Sequence, residues 1–503
     1  MNSRPVLDCQ IAILGYGPVG ATLANLLGAA GLDVLVIERD TEVFAQPRAI
    51  HFDGETMRVF ETLGLRSAVE AISRPGMKGM HFMNAADEVL LVRAGTGLDG
   101  PHGCANNHYF HQPHLESVLR AGLERYPNVR VLHGMEAIAI ETSEIGATID
   151  LQSAKDDETR RLNTQWLVGC DGARSITRRV IGTPVDDLGL HQPWLVFDVI
   201  LERDPGLPDY TIQRCDPARP MTICCVTERR RRWEVMLMPG DDPRSIVRPE
   251  NVWPLIERWV TPADAHLERS AVYTFHSVLA REWRSGPLLI AGDAAHQTPP
   301  FLGQGLCAGI RDAANLAWKL ERVARGTAPA TLLDTYASER KPHVQAFIDL
   351  AVQLGDIIQT TDVQQAAERD RRFLAGDAKV FEFPSPALGA GLHTGPSGGV
   401  LFPQPRLADG VRLDQRVGYG FAVIADPTFL ADTPAPVVEN WQRRWADAGA
   451  TWITDPGPAI LQWLTEHDTR AAIIRPDRYV LGTATTSDTL NTLGGMMLAG
   501  IET

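Results

Sequence analysis

Three glycines and one acid near the start of the chain have the types and spacing to hold a phosphate-bearing ligand. Gly15, Gly17 and Gly20 directly follow an apolar segment, residues 11–14, and Glu38 ends the next apolar segment. In a strand–turn–helix–strand unit the first glycine permits the turn, the second lets backbone approach a pyrophosphate, and the third allows close packing. The helix N-terminus attracts the anion, and the acid can accept hydrogen bonds from a ribose. We therefore predict a bound dinucleotide, with an ordinary glycine turn as the alternative.

A second motif, Asp171-Gly172, follows another apolar segment. Ser175 is placed to cap a helix that carries Arg178, as the preference of serine for N-cap positions indicates. By itself this pattern is also compatible with an ordinary capped turn.

A third motif, Gly292-Asp293, ends the apolar segment 288–291. The carboxyl end of a buried strand is where open α/β sheets bind ligands. Asp293 can accept hydrogen bonds from a polyol such as a ribityl chain, which a nicotinamide dinucleotide lacks. The loop 299–305 then leads into a long helix, whose positive end would stabilise negative charge on a reduced flavin ring.

Composition narrows the classes of function. The 503 residues are 44% hydrophobic and carry a net charge of −14, which argues against a nucleic-acid or anionic-membrane surface. No run approaches the ~18 apolar residues of a transmembrane helix, and residues 1–10 lack a signal-peptide pattern. The seven cysteines form no CxxC pair, which excludes flavoprotein disulfide reductases and favours a reduced, cytoplasmic location. The histidines have no metal-ligand spacing, so no metal is predicted.

The pattern of apolar segments divides the chain into units. Residues 1–180 and 277–360 read as a Rossmann-like dinucleotide-binding domain with a short β excursion at 76–105. Residues 181–276 read as an antiparallel-sheet domain. Within it, the run 229–232 is predicted to be a solvated hairpin of arginines, with an anion contact as the alternative. Residues 361–395 are charged and then rich in proline and glycine, which predicts a linker before an α/β unit at 396–503.

The three motifs, in this order and spacing, resemble the single-component FAD-dependent aromatic hydroxylases. The chain is most similar to the 3-(3-hydroxyphenyl)propionate hydroxylases and related phenol hydroxylases, over about residues 8–500. The resemblance implies an FAD-binding domain interleaved with a substrate domain. It also implies a thioredoxin-like C-terminal domain, here without any cysteine, so that packing or dimer contacts are its expected role.

The resemblance also assigns cofactor residues. The glycine turn would hold the FAD pyrophosphate, Glu38 the adenine-side ribose, Asp293 the ribityl-pyrophosphate region, and Asp171 with Arg178 both FAD and the visiting NAD(P)H. The FAD-binding residues implied are Gly15, Gly17, Pro18, Val19, Gly20, Glu38, Arg39, Arg48, Gln112, Asp171, Arg178, Gly292, Asp293, Pro299, Gly303 and Gly305.

The family's substrate pocket lies between the flavin ring and the antiparallel sheet. The residues expected to line it are Trp194, Tyr210, Arg219, Tyr273 and His276. Aromatic residues in strands are more often part of the core, so this set is open to that alternative. A phenolate is a better nucleophile than a phenol, and His276 is the predicted base.

The function implied is hydroxylation of a phenol with NAD(P)H and O₂ through a flavin C4a-hydroperoxide, ortho to the hydroxyl as in 3-(3-hydroxyphenyl)propionate catabolism. The partners expected are a small phenolic substrate and O₂, with no nucleic acid and no membrane, and a homodimer is considered. Two alternatives remain open. One is a related flavin monooxygenase, dehalogenating or epoxidising another aromatic or polyketide-type substrate, and the other is a non-enzymatic flavoprotein.

Overall fold

A computed structural model describes residues 7–43, 48–156, 158–227, 229–377 and 385–499. The fold is a mixed α/β one. Within these residues, none of the helices combines the length and apolar character needed to cross a bilayer. The α-helices described are Pro18–Ala29, Gly54–Thr62, Arg66–Ile72, Gln112–Leu123, Ile176–Ile181, Pro249–Ile256, Gly305–Ala324, Asp334–Ile358, Val363–Arg372, Leu413–Val417, Pro427–Asp432, Ala435–Ala446, Pro458–Glu466 and Ser487–Ala499.

The first sheet is mainly parallel and carries the glycine turn. Its central strand, Cys9–Leu14, is parallel to a strand on each side, with Ile11 opposite both Val34 and Trp166. The helix Pro18–Ala29 makes the crossover between the first two strands, so the predicted strand–helix–strand unit is present. In spatial order the strands are Arg284–Ser285, Leu288–Ile290, Thr159–Gly169, Cys9–Leu14, Val34–Glu38 and Val129–His133, and Gly146–Ser153 and Met135–Ser143 extend from Thr159–Gly169.

The second sheet is mainly antiparallel and contains the strands predicted within residues 181–276. Its two longest strands, Val185–Leu201 and Ala265–Ala280, pair along most of their length. In spatial order the strands are His296–Gln297, Ala265–Ala280, Val185–Leu201, Arg230–Met236, Met221–Cys225, Thr211–Arg214, Met80–Met83 and Val89–Arg93. A separate short sheet joins His51–Phe52, His108–Phe110 and Ser73–Pro75.

The β excursion predicted at 76–105 is present, and its strands join the second sheet. Met80–Met83 pairs in parallel with Thr211–Arg214, and Val89–Arg93 pairs with Met80–Met83. These strands therefore extend the second sheet and not the first. Without them Thr211–Arg214 would be an edge strand with unpaired backbone groups, which proteins commonly cover. The chain thus contributes to the second sheet before it completes the first.

The C-terminal unit, residues 396–499 as described, is built on a small mixed sheet. Phe421–Ala425 is parallel to Ala450–Ile453 and antiparallel to Ala471–Ile474, which pairs in turn with Val480–Ala484. Helices connect and follow these strands, including Pro458–Glu466, which the sequence patterns do not reveal.

The predicted linker, residues 361–395, is hydrogen-bonded through its described residues to the rest of the protein. Its described part begins with the helix Val363–Arg372, from which Arg369 donates to the carbonyl of Cys215 in the second sheet. After residues 378–384, which lie outside the described residues, the amides of Gly389 and Leu392 both donate to Glu339 of the helix Asp334–Ile358.

Buried ion pairs join the C-terminal unit to the helices of the first sheet. Arg475 donates to both carboxylate oxygens of Glu339, at 2.9 and 2.7 Å, and Lys319 donates to the same carboxylate at 2.7 Å. Arg58 likewise binds Asp414 through two nitrogens. Because all of these side chains are buried, the C-terminal unit is part of the core of the protein.

Candidate active site

A cavity of about 720 Å³ opens between the first and second sheets. Its walls include the glycine turn and the ends of the parallel strands on one side, and one face of the second sheet on the other. We call it the inter-sheet cavity. Of the predicted site residues, those that line it are Gly15, Gly17, Pro18, Val19, Glu38, Arg39, Arg48, Gln112, Asp171, Asp293, Gly303, Gly305, Tyr273 and His276.

The glycine turn has the backbone geometry that its sequence predicts. Gly15 has φ +96°, and a Cβ there would lie 2.4 Å from the carbonyl oxygen of Cys170. A Cβ on Gly20 would lie 2.0 Å from the carbonyl oxygen of Gly15, so this glycine serves close packing and does not line the cavity. Gly17 has no heavy atom within 4 Å of an added Cβ and begins the helix Pro18–Ala29. The first-turn N–H groups of this helix thus remain available to an anion.

Glu38 lies at the edge of the cavity, and its carboxylate also holds the turn. One oxygen accepts from the amide of Tyr16 at 2.7 Å, and the other from the amide of Asp40 at 2.9 Å. Each carboxylate oxygen has a second lone pair, so the group retains capacity for ribose hydroxyls.

In the Asp171 motif, Asp171 lines the cavity but Arg178 does not. One oxygen of Asp171 accepts from the amides of Ile176 and Thr177 at the start of a helix, and Ser175 caps the same helix. Arg178 does not line the cavity, because its guanidinium donates to the carbonyls of Ala294 and Ala173. Arg178 thus connects the Asp171-Gly172 turn with the Gly292-Asp293 turn through hydrogen bonds to the residues that follow them.

Arg174 and Arg179 are the arginines of this motif that line the cavity. Sequence reasoning missed both, because it followed the family motif to Arg178.

Asp293 lines the cavity next to Arg48 and forms a long ion-pair contact with it, with 3.9 Å between Oδ2 and Nη1. Both side chains are about half exposed, so neither is committed to the core. Gly292 lies behind this turn, where its amide donates to Asp312 at 3.1 Å. Gln112 lines the cavity, but its Oε1 accepts from the amides of Arg48 and Ala49. It therefore positions the backbone at Arg48.

The loop 299–305 borders the cavity through Pro300, Gly303 and Gly305, whereas Pro299 itself does not line it. Gln304 is fully buried, and its Oε1 accepts from Arg311 at 3.0 Å. Its Nε2 has no hydrogen-bond partner among the described residues.

These features fit an FAD molecule lying along the first sheet. Asp171 Oδ1 and Gln304 Nε2 are buried, lack a partner in the described part of the chain, and belong to residues that line the cavity. Buried polar atoms of native proteins are nearly always satisfied, so orphaned atoms at a cavity indicate a ligand. Asp171 Oδ1 can therefore accept a hydrogen bond from the cofactor, and Gln304 Nε2 can donate one. The backbone at Gly17 is also open to a ligand.

The cavity face of the second sheet is more polar than the sequence indicates. Thr211 and Gln213 share one strand, Arg232 and Glu234 another, and each pair is two residues apart, as side chains on one face must be. This spacing of polar residues in otherwise apolar strands was the available signal. The lining residues of this face that sequence reasoning missed include Met80, Arg93, Val196, Thr211, Gln213, Thr222, Cys224, Glu234, Arg269 and Phe275; Tyr109 of the short sheet also lines the cavity and was missed.

Three predicted substrate residues lie away from the cavity. Trp194 is fully buried in the core, with its ring 5.6 Å from that of Phe301. Tyr210 stacks on His81 with 4.1 Å between ring centroids. Arg219 forms an ion pair with Asp241. Residue type suggested a binding role for them, whereas aromatic packing and charge pairing account for their positions.

The arginine run 229–232 is not simply a solvated hairpin. Arg232 is almost fully buried, lines the cavity, and donates from Nε to Asp198 at 2.8 Å. Arg269 donates to the same carboxylate at 2.5 Å and to the hydroxyl of Tyr273 at 3.2 Å. Although burial favours protonation, Arg232 and Arg269 hold the pKa of Asp198 below its usual value.

His276 lines the cavity and belongs to a hydrogen-bonded chain of three side chains. Its Nδ1 lies 2.7 Å from Nδ1 of His191, and Nε2 of His191 lies 2.6 Å from Asp187. If His191 donates to the carboxylate, its neutral ring accepts at Nδ1, and His276 must donate there. Nε2 of a neutral His276 then carries a lone pair.

Two family models match the chain. One, described as an FAD binding domain, matches residues 8–351. The other, described as the HcaD C-terminal domain, matches residues 399–497. The first match spans all the cavity-lining residues named above and defines the chain as an FAD-binding protein.

Curated relatives extend over nearly the whole chain. A probable NADH-specific resorcinol 4-hydroxylase of Rhodococcus jostii is 36% identical, over 98% of this chain and 95% of the relative. A 3-(3-hydroxy-phenyl)propionate/3-hydroxycinnamic acid hydroxylase of Shigella sonnei is 32% identical, over 97% and 94%.

Solved structures share the fold. The flavin-dependent monooxygenase PieE, solved with FAD and substrate, has a TM-score of 0.82 at 21% identity and covers 98% of this chain and 99% of its own. Aklavinone-11 hydroxylase, solved with FAD and aklavinone, has a TM-score of 0.82 at 22% identity, over 98% and 100%.

The chain belongs to the FAD-dependent aromatic hydroxylases. It is a flavoprotein monooxygenase that uses FAD. This finding removes the non-enzymatic alternative.

Proposed function

We propose that this enzyme hydroxylates a small phenol that carries a substituent meta to its hydroxyl, at a carbon ortho to that hydroxyl. The observation that carries the proposal is the inter-sheet cavity, which is lined both by the glycine turn and strand ends that we propose to hold FAD and by a buried polar sheet face. Resorcinol and 3-(3-hydroxyphenyl)propionate, the substrates in the names of the two relatives, are both meta-substituted phenols. Carbon 4 of resorcinol is ortho to one of its hydroxyls.

Bound FAD, once reduced by the nicotinamide, supplies the activation of O₂. The chain's own contribution is to orient the ring and to exclude water, which would otherwise divert reducing equivalents to hydrogen peroxide. The sheet face is suited to this, since Arg232, Glu234 and Gln213 are buried although they face the cavity.

His276 is our proposed proton acceptor for the phenol. Its Nε2 lone pair, assigned through the His191 and Asp187 contacts, supports this role. Uptake of a proton at Nε2 would let the Nδ1 proton move to His191, which would then be a cation beside Asp187.

The FAD contacts of the glycine turn, Glu38, Asp171 and Asp293 are part of the same proposal, and so is a thioredoxin-like fold for the C-terminal unit. The latter is supported by its four-stranded sheet, in which one neighbouring pair of strands is parallel and two pairs are antiparallel. A cytoplasmic location is supported by the seven free cysteines. We propose that any homodimer forms through the C-terminal unit, and analytical ultracentrifugation measures the oligomeric state.

The function is tested by NADH and NADPH oxidation with and without a panel of meta-substituted phenols, and by NMR of the products. We expect phenol-dependent oxidation and a new hydroxyl ortho to the original one. A product hydroxylated only at another position, or dehalogenated or epoxidised, would contradict the proposal.

A further inference from the structure

A continuous path of buried hydrogen bonds leads from the C-terminal unit to the inter-sheet cavity. The hydroxyl of Tyr479, which precedes the strand Val480–Ala484, donates to Oε1 of Glu55 at 2.8 Å. The other oxygen of Glu55 accepts from Nε of Arg311 at 2.5 Å, and Nη1 of Arg311 donates to Oε1 of Gln304 at 3.0 Å. None of these four residues is more than 9% exposed, and Gln304 is the one among them that lines the cavity. We call these four residues the Tyr479–Gln304 path.

The hydrogen bonds at the Tyr479 end of the path have one possible direction. A guanidinium can only donate, so Arg340 donates to Nδ1 of His343 at 2.9 Å, and a neutral ring then carries its proton on Nε2. Burial, together with the charge of Arg340, lowers the pKa of His343 well below its usual value, so the ring is neutral. Its Nε2 therefore donates to the hydroxyl oxygen of Tyr479 at 3.2 Å, and the one hydroxyl proton of Tyr479 is left for Glu55.

The direction is equally fixed at the Gln304 end. Because Arg311 can only donate, the atom of Gln304 that faces it is the oxygen, and the amide nitrogen takes the other position. That nitrogen, Nε2, is buried and has no hydrogen-bond partner among the described residues. Since Gln304 lines the cavity and precedes the helix Gly305–Ala324, its amide N–H is a donor for a ligand. Arg311 is itself held by a further donation, to Asp53.

Resting on the placement of FAD proposed above, we propose that Tyr479 is a positioning residue for the cofactor, through which the C-terminal unit keeps the amide N–H of Gln304 directed into the cavity. Without the Tyr479 hydroxyl, Glu55 loses an acceptor contact and His343 retains a buried N–H without an acceptor. Glu55 is then free to rotate, and Arg311 can follow it away from Gln304. A donor that is already oriented binds a ligand more tightly than one that must be ordered on binding.

A second tyrosine of the C-terminal unit supplies the matched control. The hydroxyl of Tyr419 donates to the carbonyl of Ala314 at 2.5 Å and accepts from the amide of Trp318 at 3.1 Å. Both partners are backbone groups of the helix Gly305–Ala324, which Gln304 precedes. Tyr419→Phe thus removes a hydroxyl that binds the same helix and leaves the side chains of the path unchanged.

The test measures the rate of FAD release from diluted holoenzyme, followed by flavin fluorescence. The proteins compared are wild type, Tyr479→Phe, Tyr419→Phe, Gln304→Met, and each tyrosine variant combined with Gln304→Met. Gln304→Met keeps the length of the side chain and removes the amide donor. Glu55→Gln interrupts the path at its middle, and it replaces Tyr479→Phe in the same comparison if that variant does not fold.

We expect Gln304→Met and Tyr479→Phe each to raise the rate of FAD release at least about threefold. If Tyr479 acts through Gln304, adding Tyr479→Phe to Gln304→Met should change the rate by less than about 1.5-fold, because coupled effects are not additive. Tyr419→Phe should lower the midpoint of thermal unfolding, as Tyr479→Phe does, but leave FAD release within about 1.5-fold of wild type. A merely structural effect would appear in both tyrosine variants and would add to that of Gln304→Met.

Two results would overturn the inference and leave the placement of FAD intact. One is a Tyr479→Phe protein that releases FAD like wild type although Gln304→Met releases it faster, and the other is a double variant in which the two effects multiply. Wild-type release from Gln304→Met would overturn the inference and also the placement of FAD against Gln304. The proposed phenol hydroxylation is judged by its own product analysis, on which FAD release does not depend.

Discussion

The interface of the C-terminal unit and the cavity face of the second sheet both bury glutamates, but they treat them in opposite ways. Glu339 accepts hydrogen bonds from Arg475, Lys319 and Asn315. Glu234 has no such partner in the described part of the chain. Removing the partner of a buried charge is strongly destabilising, whereas a carboxyl group that faces a cavity is open to a ligand. The comparison therefore separates a carboxylate that the fold itself pairs from one that faces the inter-sheet cavity.

The largest effect is expected for Arg475→Met. The change leaves Glu339 and Asp477 buried without their guanidinium, and breaking a buried pair in this way costs about 3–5 kcal/mol. The midpoint of thermal unfolding, followed by circular dichroism, should fall clearly. Arg416→Met is the matched control, because the Arg416–Asp409 pair is about half exposed and should contribute less than about 1 kcal/mol. Equal losses in the two variants would show that the interface is not part of the core.

Asp293→Ala should act on the cofactor and leave the fold intact. Each lost charge-assisted hydrogen bond costs roughly 1.5–3 kcal/mol, so FAD affinity should fall tenfold or more. The side chain of Asp293 is 44% exposed, so the stability of the apoprotein should change little. Fluorescence titration of apoprotein with FAD measures the affinity. Asp186→Ala, at 43% exposure in a surface pair with Arg281, is the control; an Asp293 variant that binds FAD like this control would place the ribityl contact elsewhere.

The two glutamates should link stability to pH with opposite signs. Burial opposes ionisation of Glu339, but Arg475 and Lys319 hold its pKa below the usual 4.5, so its contribution is present above that pH and is lost on acidification. Burial raises the pKa of Glu234 above 4.5, so its contribution is present below that pH and is lost as pH rises.

Urea unfolding of wild type, Glu339→Gln and Glu234→Gln between about pH 4 and pH 8 tests this contrast. The advantage of wild type over Glu339→Gln should grow with pH, and its advantage over Glu234→Gln should shrink. Slopes of the same sign would contradict the assignment of Glu234 as an unpaired acid.

The smallest effect is expected for Tyr210→Phe. Tyr210 stacks on His81 and does not line the cavity, so kcat/KM should stay within about twofold of wild type. A larger loss, at unchanged stability, would return Tyr210 to the substrate pocket.

How far the sequence leads depends on the range of the interactions involved. The glycine turn and its crossover helix could be predicted, because the spacing of Gly15, Gly17 and Gly20 encodes a local geometry. The adjacency of Gln213, Thr222 and Glu234 could not be predicted, because these residues are brought together only by the register of three strands. Residue type alone also gave a wrong position for Trp194, which was predicted to line the substrate pocket but is buried in the core.

The C-terminal interface was also beyond prediction. Arg475 and Glu339 are 136 residues apart, and nothing in either local pattern indicates the other. The absence of cysteines suggested a packing or dimer-contact role for this unit, and nothing in the sequence indicated which helices its Arg475 contacts.

The central claim is that one cavity holds flavin and phenol together, and anaerobic stopped-flow measurement of flavin reduction tests it most directly. We propose that NAD(P)H visits the flavin transiently; the loop around Gly303 and Gly305 borders the same cavity. We predict that a phenol hydroxylated by the enzyme accelerates reduction by at least about tenfold, equivalent to ~1.4 kcal/mol in barrier height. Equal rates with and without that phenol would contradict the account.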